Sequence, residues 1–144
     1  MPSEEKYLSY LEKVAEALPA RAHRRKRDVL RTRIASCVVI KNEIVSIGVN
    51  QLKSHPFQAK FSRNEDSIYL HAETDAIKNA LKIVNVEDLE RATLYVCRVK
   101  GTDASKKQFI RGMCCPCNGC KRAIAAFNIR KVVYTCDDGS YSYL

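Results

Sequence analysis

Several things are scarce in this chain, and each scarcity excludes something. There is no tryptophan, and glycine and proline together contribute only nine residues in 144. That leaves no room for a collagen-like or low-complexity composition. No apolar run approaches the roughly 20 residues needed to span a membrane as a helix. The opening Met1-Pro2-Ser3-Glu4-Glu5 lacks the basic-then-apolar build of a signal peptide, so residence in the cytoplasm is expected. Cysteine is plentiful but odd in number: seven, four of them within 114–120. A closed disulfide framework is therefore not expected, and a reducing compartment fits better.

What is present has the balance of a folded globular chain, 46% hydrophobic and 28% charged. At 144 residues it is expected to form a single domain with a proper core. The formal charge is +9, and residues 21–33 alone (RAHRRKRDVLRTR) carry a net +6. Such an excess suits an anionic partner: a nucleotide phosphate, or a polynucleotide backbone. A solvated basic face is the plainer alternative.

Residues 3–18 predict a helix, with Ser3 as cap, two glutamates in the first turn, and a stripe at Tyr7, Leu8, Leu11, Val14, Ala15 and Leu18. Pro19 interrupts it, and a second helix carrying the basic cluster is expected up to about Leu30, so that 1–33 reads as a helical basic segment. Ile34–Ile40 and Ile44–Asn50, separated by Lys41-Asn42-Glu43, predict an antiparallel hairpin. Residues 51–69 show no sustained period and read as a loop. A helix follows from about Leu70, with a strand at Thr93–Val99. Residues 100–112 read as either a hairpin or a long loop. A helix over Cys117–Phe127, a strand over Lys131–Thr135 and a short tail close the chain. The order α, ββ, α, β, α, β predicts an α/β sandwich, with helices flanking a mixed central sheet.

Two short segments organise the chemistry. His71-Ala72-Glu73 is followed, 43 positions after Glu73, by Pro116-Cys117-Asn118-Gly119-Cys120. The pattern is H-x-E … P-C-x-x-C, each half opening a helical stretch. One imidazole and two thiolates give zinc three protein ligands and leave the fourth tetrahedral position for water. Zinc brings the pKa of such a water toward about 7, and a nearby carboxylate that is not a ligand, here Glu73, can move protons. Either half alone would be unremarkable: a helix surface, or a redox or structural C-x-x-C pair. Cys114 and Cys117 form a second C-x-x-C. Cys117 with Cys120 is preferred as the ligand pair because Pro116 suits the entry of a helix. Cys114 and Cys115 then line or pack the site, and Cys37, Cys97 and Cys136 are small core residues.

On these residues, and on Ser46-Ile47-Gly48-Val49-Asn50, Thr93-Leu94-Tyr95-Val96 and Lys131-Val132-Val133-Tyr134, the sequence resembles the cytidine/deoxycytidylate deaminase superfamily over about residues 30–135. It looks most like the small deoxycytidylate deaminases often seen in phages. The resemblance implies a three-layer α/β/α cytidine-deaminase-like sandwich, with zinc on His71, Cys117 and Cys120 and Glu73 as the proton shuttle. It also implies that Ala72 offers its backbone N–H to the base carbonyl and that Asn50 contacts the sugar. His55, in a Ser-His-Pro-Phe turn, is a further candidate for touching base or phosphate.

The implied reaction is hydrolytic deamination of cytosine to uracil, with dCMP to dUMP as the expected instance and a homo-oligomer as the expected assembly. The alternatives are a deaminase of single-stranded DNA or RNA, with Phe57, Phe61 or Tyr141 stacking on bases, and a nucleic-acid-binding module with structural zinc. One departure is plain. Nineteen residues, Cys97–Cys115, separate Val96 from Pro116, where many relatives have only a few. This insertion brings Lys100, Lys106, Lys107 and Arg111 toward the site.

Overall fold

The structure is a computed structural model. It describes residues 3–18, 21–24, 27–30, 32–51, 55–61, 70–101 and 109–144, with backbone alone for 21–24 and 27–30. The side chains of the basic run at 21–31, and Lys106 and Lys107, lie outside the described residues.

The larger sheet is built on β3 (Arg33–Ile40) and β5 (Thr93–Gly101), which pair antiparallel. β4 (Glu43–Val49) adds antiparallel to the outer edge of β3 through a turn at Lys41 and Asn42, both with positive φ. On the other side of β5 lies β7 (Lys131–Thr135), the one parallel neighbour, and then β8 (Tyr141–Tyr143), antiparallel. β6 (Phe109–Gly112) folds back on the far end of β5. The insertion is thus a β-hairpin, and the sheet is mixed.

Period-two alternation splits the core between the two faces of the sheet. Ala35, Cys37 and Val39 of β3 and Tyr95, Cys97 and Val99 of β5 pack beneath α1 (Ser3–Glu16), against Tyr7, Leu8, Leu11 and Ala15. Val38 and Ile40 with Leu94 and Val96 face the other way, toward Ala76, Ile77 and Ala80 of α3 (Ala72–Ala80) and Ala123 and Ile124 of α4 (Asn118–Ala126). Both layers are closed by aromatics. The Tyr7 and Tyr95 rings lie 4.9 Å apart under α1. On the opposite face Phe57, Phe61 and Phe127 form a triangle with centroids 5.5–6.0 Å apart. The three-layer α/β/α architecture is the one expected.

Three local expectations are corrected. Residues 21–30 are not a second helix: β1 (Arg21–Arg24) and β2 (Arg27–Leu30) pair antiparallel as a separate two-stranded sheet. A helix would crowd like charges three and four positions apart, whereas an extended chain sends successive residues to opposite sides. The stretch read as an unbroken loop contains α2 (Pro56–Phe61), a short helix that starts on proline and is held by the Phe57/Phe61/Phe127 triangle. The C-terminal tail contributes β8 instead of ending as irregular chain.

Candidate metal centre and its cavity

α3 and α4 start side by side at the same end of the sheet. Their N-cap residues are His71 and Cys117, both in extended backbone conformation, and neither side chain caps its own helix. Each is therefore available to turn toward the space between the helices, where Cys120, one turn into α4, joins them. The donor atoms of His71, Cys117 and Cys120 all lie within 4.8 Å of one another. His71 Nδ1 is 3.5 Å from the Cys117 sulfur and 3.3 Å from the Cys120 sulfur. Tetrahedral zinc with ordinary Zn–N and Zn–S bonds needs its nitrogen and sulfur ligands about 3.5 Å apart, so the donor set fits zinc in both chemistry and spacing.

Cys114 does not belong to this cluster. It is buried, its thiol bonds to the Val96 carbonyl at 3.3 Å and lies 3.2 Å from the Thr135 hydroxyl, and burial pushes its pKa up to about 11. The structure thus separates the two C-x-x-C pairs that the sequence left overlapping.

The electrostatics follow from burial and the proximity of the helix starts. A hydrogen bond from Cys120 holds the Cys117 thiol down at about 3, and the same bond, with burial, pushes Cys120 up. His71 is raised, chiefly by its bond to Cys117. Glu73, in the first turn of α3, is 5% exposed, and burial raises its carboxyl. The helix-start dipoles of α3 and α4 add a field that favours anionic groups here.

A cavity of about 360 Å³ opens onto the cluster, lined among others by Asn50, His71, Ala72, Glu73, Arg98 and Cys117. Asn50 is pinned at its rim: its Oδ1 accepts from the Ile34 N–H at 3.0 Å and its Nδ2 donates to the Thr32 carbonyl at 2.6 Å. His55 is not among the residues lining the cavity. Its Nδ1 accepts from the Phe57 N–H at 3.0 Å and caps the start of α2.

Three contributors had not been singled out from the sequence. Gln58 is completely buried, and its Oε1 accepts from the His71 N–H at 3.2 Å and from the Thr74 hydroxyl. The Asp75 carboxylate accepts from the Val49 N–H at 3.0 Å, fixing the start of α3 to β4. Arg98 lines the cavity wall. Of these only Arg98 left a trace in the sequence: it continues the alternation of Leu94 and Val96 on the site face of β5.

A family model described as the cytidine and deoxycytidylate deaminase zinc-binding region matches residues 8–136. Among curated proteins none matches. Among solved structures the chain is similar to a dCMP deaminase from the cyanophage S-TIM5 in apo form, at 20% identity, with a TM-score of 0.52, covering 92% of this chain and 82% of that one. The same phage enzyme in complex with dCMP and dUMP matches at 20% identity, with a TM-score of 0.53, covering 91% and 79%. At that identity the likeness speaks for the fold.

Proposed function

We propose that this chain, which belongs to the cytidine and deoxycytidylate deaminase family, converts a cytosine nucleotide to the uracil nucleotide, with dCMP as the substrate. It is a zinc-dependent hydrolase, and the single observation that carries the reading is the cluster of His71, Cys117 and Cys120 at the wall of a cavity that Glu73 also lines. Bound on the imidazole and the two thiolates, zinc would make a water acidic enough to attack at neutral pH.

The rest falls to the chain's own residues. Glu73 takes a proton from the attacking water and delivers it to the ring nitrogen N3. It then passes the second water proton to the exocyclic amine, which leaves as ammonia while the water oxygen stays on C4. Ala72, the first residue of α3, lines the cavity, and its N–H, which has no partner inside the helix, can donate to the base carbonyl. Asn50, locked to β3, presents a fixed amide where the sugar would lie. Glu73 itself is buried, which strengthens the interactions its carboxyl makes. The two core layers share one sheet, which supports treating residues 1–144 as a single deaminase unit.

dCMP is supported by the ligands of the cyanophage neighbour and by a cavity at the small end of the range for ligand sites. A polynucleotide substrate is less well supported. Phe57 and Phe61, which could have stacked on bases, are committed to the packing of α2 on α4. The test is conversion of dCMP to dUMP by zinc-loaded protein. Glu73→Ala should retain zinc and lose at least about 10²-fold in turnover. Undiminished turnover in that variant would remove Glu73 from the mechanism.

A further inference from the structure

On β5, Tyr95, Cys97 and Val99 pack beneath α1 while Leu94 and Val96 enter the opposite core. The next residue on the Val96 side is Arg98, and alternation carries it past the top of that core into the cavity wall. Here β5 parts from its neighbour: the last parallel pair with β7 is Val96 with Tyr134, and the first pair with β6 is Arg98 with Gly112. The Arg98 N–H, left between the two strands, donates to the Thr135 hydroxyl at 3.1 Å. That hydroxyl in turn donates to the Gly112 carbonyl at 2.7 Å. The stem crosses Gly112 so closely that a Cβ there would lie 3.1 Å from Arg98 Cδ. Arg98 is thus held from its backbone outward by the inserted hairpin.

Its head is under-used. Among the described residues it is the only lysine or arginine lining the cavity. Its Nε is buried with no hydrogen-bond partner among them, and Nη1 makes one long contact, to the Met113 carbonyl at 3.4 Å. Contrary to expectation, the other described cations of the insertion do not reach the cavity: Lys100 pairs with Asp137 at 2.9 Å, and Arg111 turns to Glu5 and Glu12 of α1 on the opposite face of the sheet. Asp137 feels the charge of Arg98 but is occupied by Lys100 and by the Met113 N–H at 2.9 Å. A buried guanidinium donor left unpaired is costly, and such a group calls for a ligand or a role.

We infer that Arg98 grips the 5′-phosphate of the substrate and makes the site selective for a cytosine nucleotide over the nucleoside, an inference that rests on the deaminase reading above. A guanidinium offers a planar fork that meets two phosphate oxygens at once, which a lysine cannot do. One cation on a cavity of this size matches one phosphate. The residue comes from the insertion between the Thr93–Val96 strand and Pro116, so this specificity would be supplied by the segment in which the chain departs from the family pattern.

The test compares dCMP with deoxycytidine in the zinc-loaded wild type, Arg98→Gln and Arg98→Lys. For Arg98→Gln, kcat/KM on dCMP should fall about 10- to 100-fold and on deoxycytidine by less than about twofold, with Arg98→Lys in between. Calorimetric binding of dUMP should weaken by the same factor, while deoxyuridine should not change. An equal loss on both substrates, or a wild type indifferent to the phosphate, overturns the role of Arg98 and leaves the deaminase standing. Turnover of neither compound by the wild type sinks the deaminase reading and this inference with it. If Arg98→Gln does not fold, Arg98→Lys carries the test, since it keeps stem and charge; unaltered dUMP affinity there would overturn the fork.

Discussion

Gln58 shows how a single side chain can set a site it never enters. Its Oε1 accepts from the His71 N–H and the Thr74 hydroxyl, so it fixes the backbone from which the imidazole projects. Gln58→Ala would leave the His71 N–H unpaired, while the Thr74 hydroxyl keeps the His71 carbonyl at 3.1 Å, a loss of about 1–3 kcal/mol. It would also loosen His71, so zinc affinity should drop about 10- to 100-fold, as supporting partners of metal ligands do when removed. Competition with a chromophoric chelator measures the second effect and urea unfolding the first; unchanged zinc affinity would make Gln58 a packing residue only. The cluster of His71, Cys117 and Cys120, with Glu73 beside it, was legible from spacing because zinc chemistry restricts residue types. Gln58 was not, since a polar residue in a stretch without periodicity looks like any loop residue until the fold brings it under α3. His55, a candidate from its place near the motif, has its Nδ1 taken by the Phe57 N–H at the start of α2.

At the scale of elements, the site depends on how closely α3 lies on β4. The Ser46 hydroxyl donates to the Ala76 carbonyl at 2.7 Å and the Asn79 amide to the Ile47 carbonyl at 2.9 Å. Next along β4, Gly48 admits the first turn of the helix, and a Cβ there would collide with the backbone of Ala72, Asp75 and Ala76. Gly48→Ala should therefore cost about 3 kcal/mol or more by urea unfolding, the upper end for overpacking, because rigid backbone has to move. It should also depress activity, since the displaced turn carries Glu73. Gly139→Ala is the control: positive φ but open space, for about 1 kcal/mol. Comparable losses at the two positions would mean that the α3–β4 contact yields. The strands at 34–40, 44–50, 93–99 and 131–135 were readable as short apolar runs rich in β-branched residues, which a sheet covered by helices on both faces requires. β1 and β2 were not, because the run there is charged instead of alternating, and helix and strand compete on weak propensity. α2 and β8 were missed for a related reason: both are short, and tertiary contacts supply what their local sequence does not.

At the scale of the whole molecule, α1 is held to the sheet by charge as well as by its apolar stripe. Glu4 pairs with Lys131 at 3.0 Å, and Arg111, its side chain 9% exposed, bridges Glu5 and Glu12 from β6. The hydrogen bond from Lys131 holds the Glu4 carboxyl below its ordinary value, and Arg111 does the same for Glu5. Their folded pKa values thus lie under the 4.5 of the free side chain. In that window the unfolded chain binds more protons, so stability must rise with pH there. The contribution is complete above the unfolded value and is lost as pH falls through the folded ones. Acid also neutralises the 16 acidic residues that offset part of the 25 basic ones at neutral pH, adding repulsion in the same direction. Urea midpoints measured from about pH 6 down to pH 3 should decline for the wild type and decline less steeply for Arg111→Ala, in which Glu5 reverts toward its free behaviour. Arg111→Ala should also be the less stable protein at neutral pH, because Glu5 and Glu12 would then face each other without the cation between them. Parallel pH curves for the two proteins would show that the pairs of Arg111 with Glu5 and Glu12 do not hold α1.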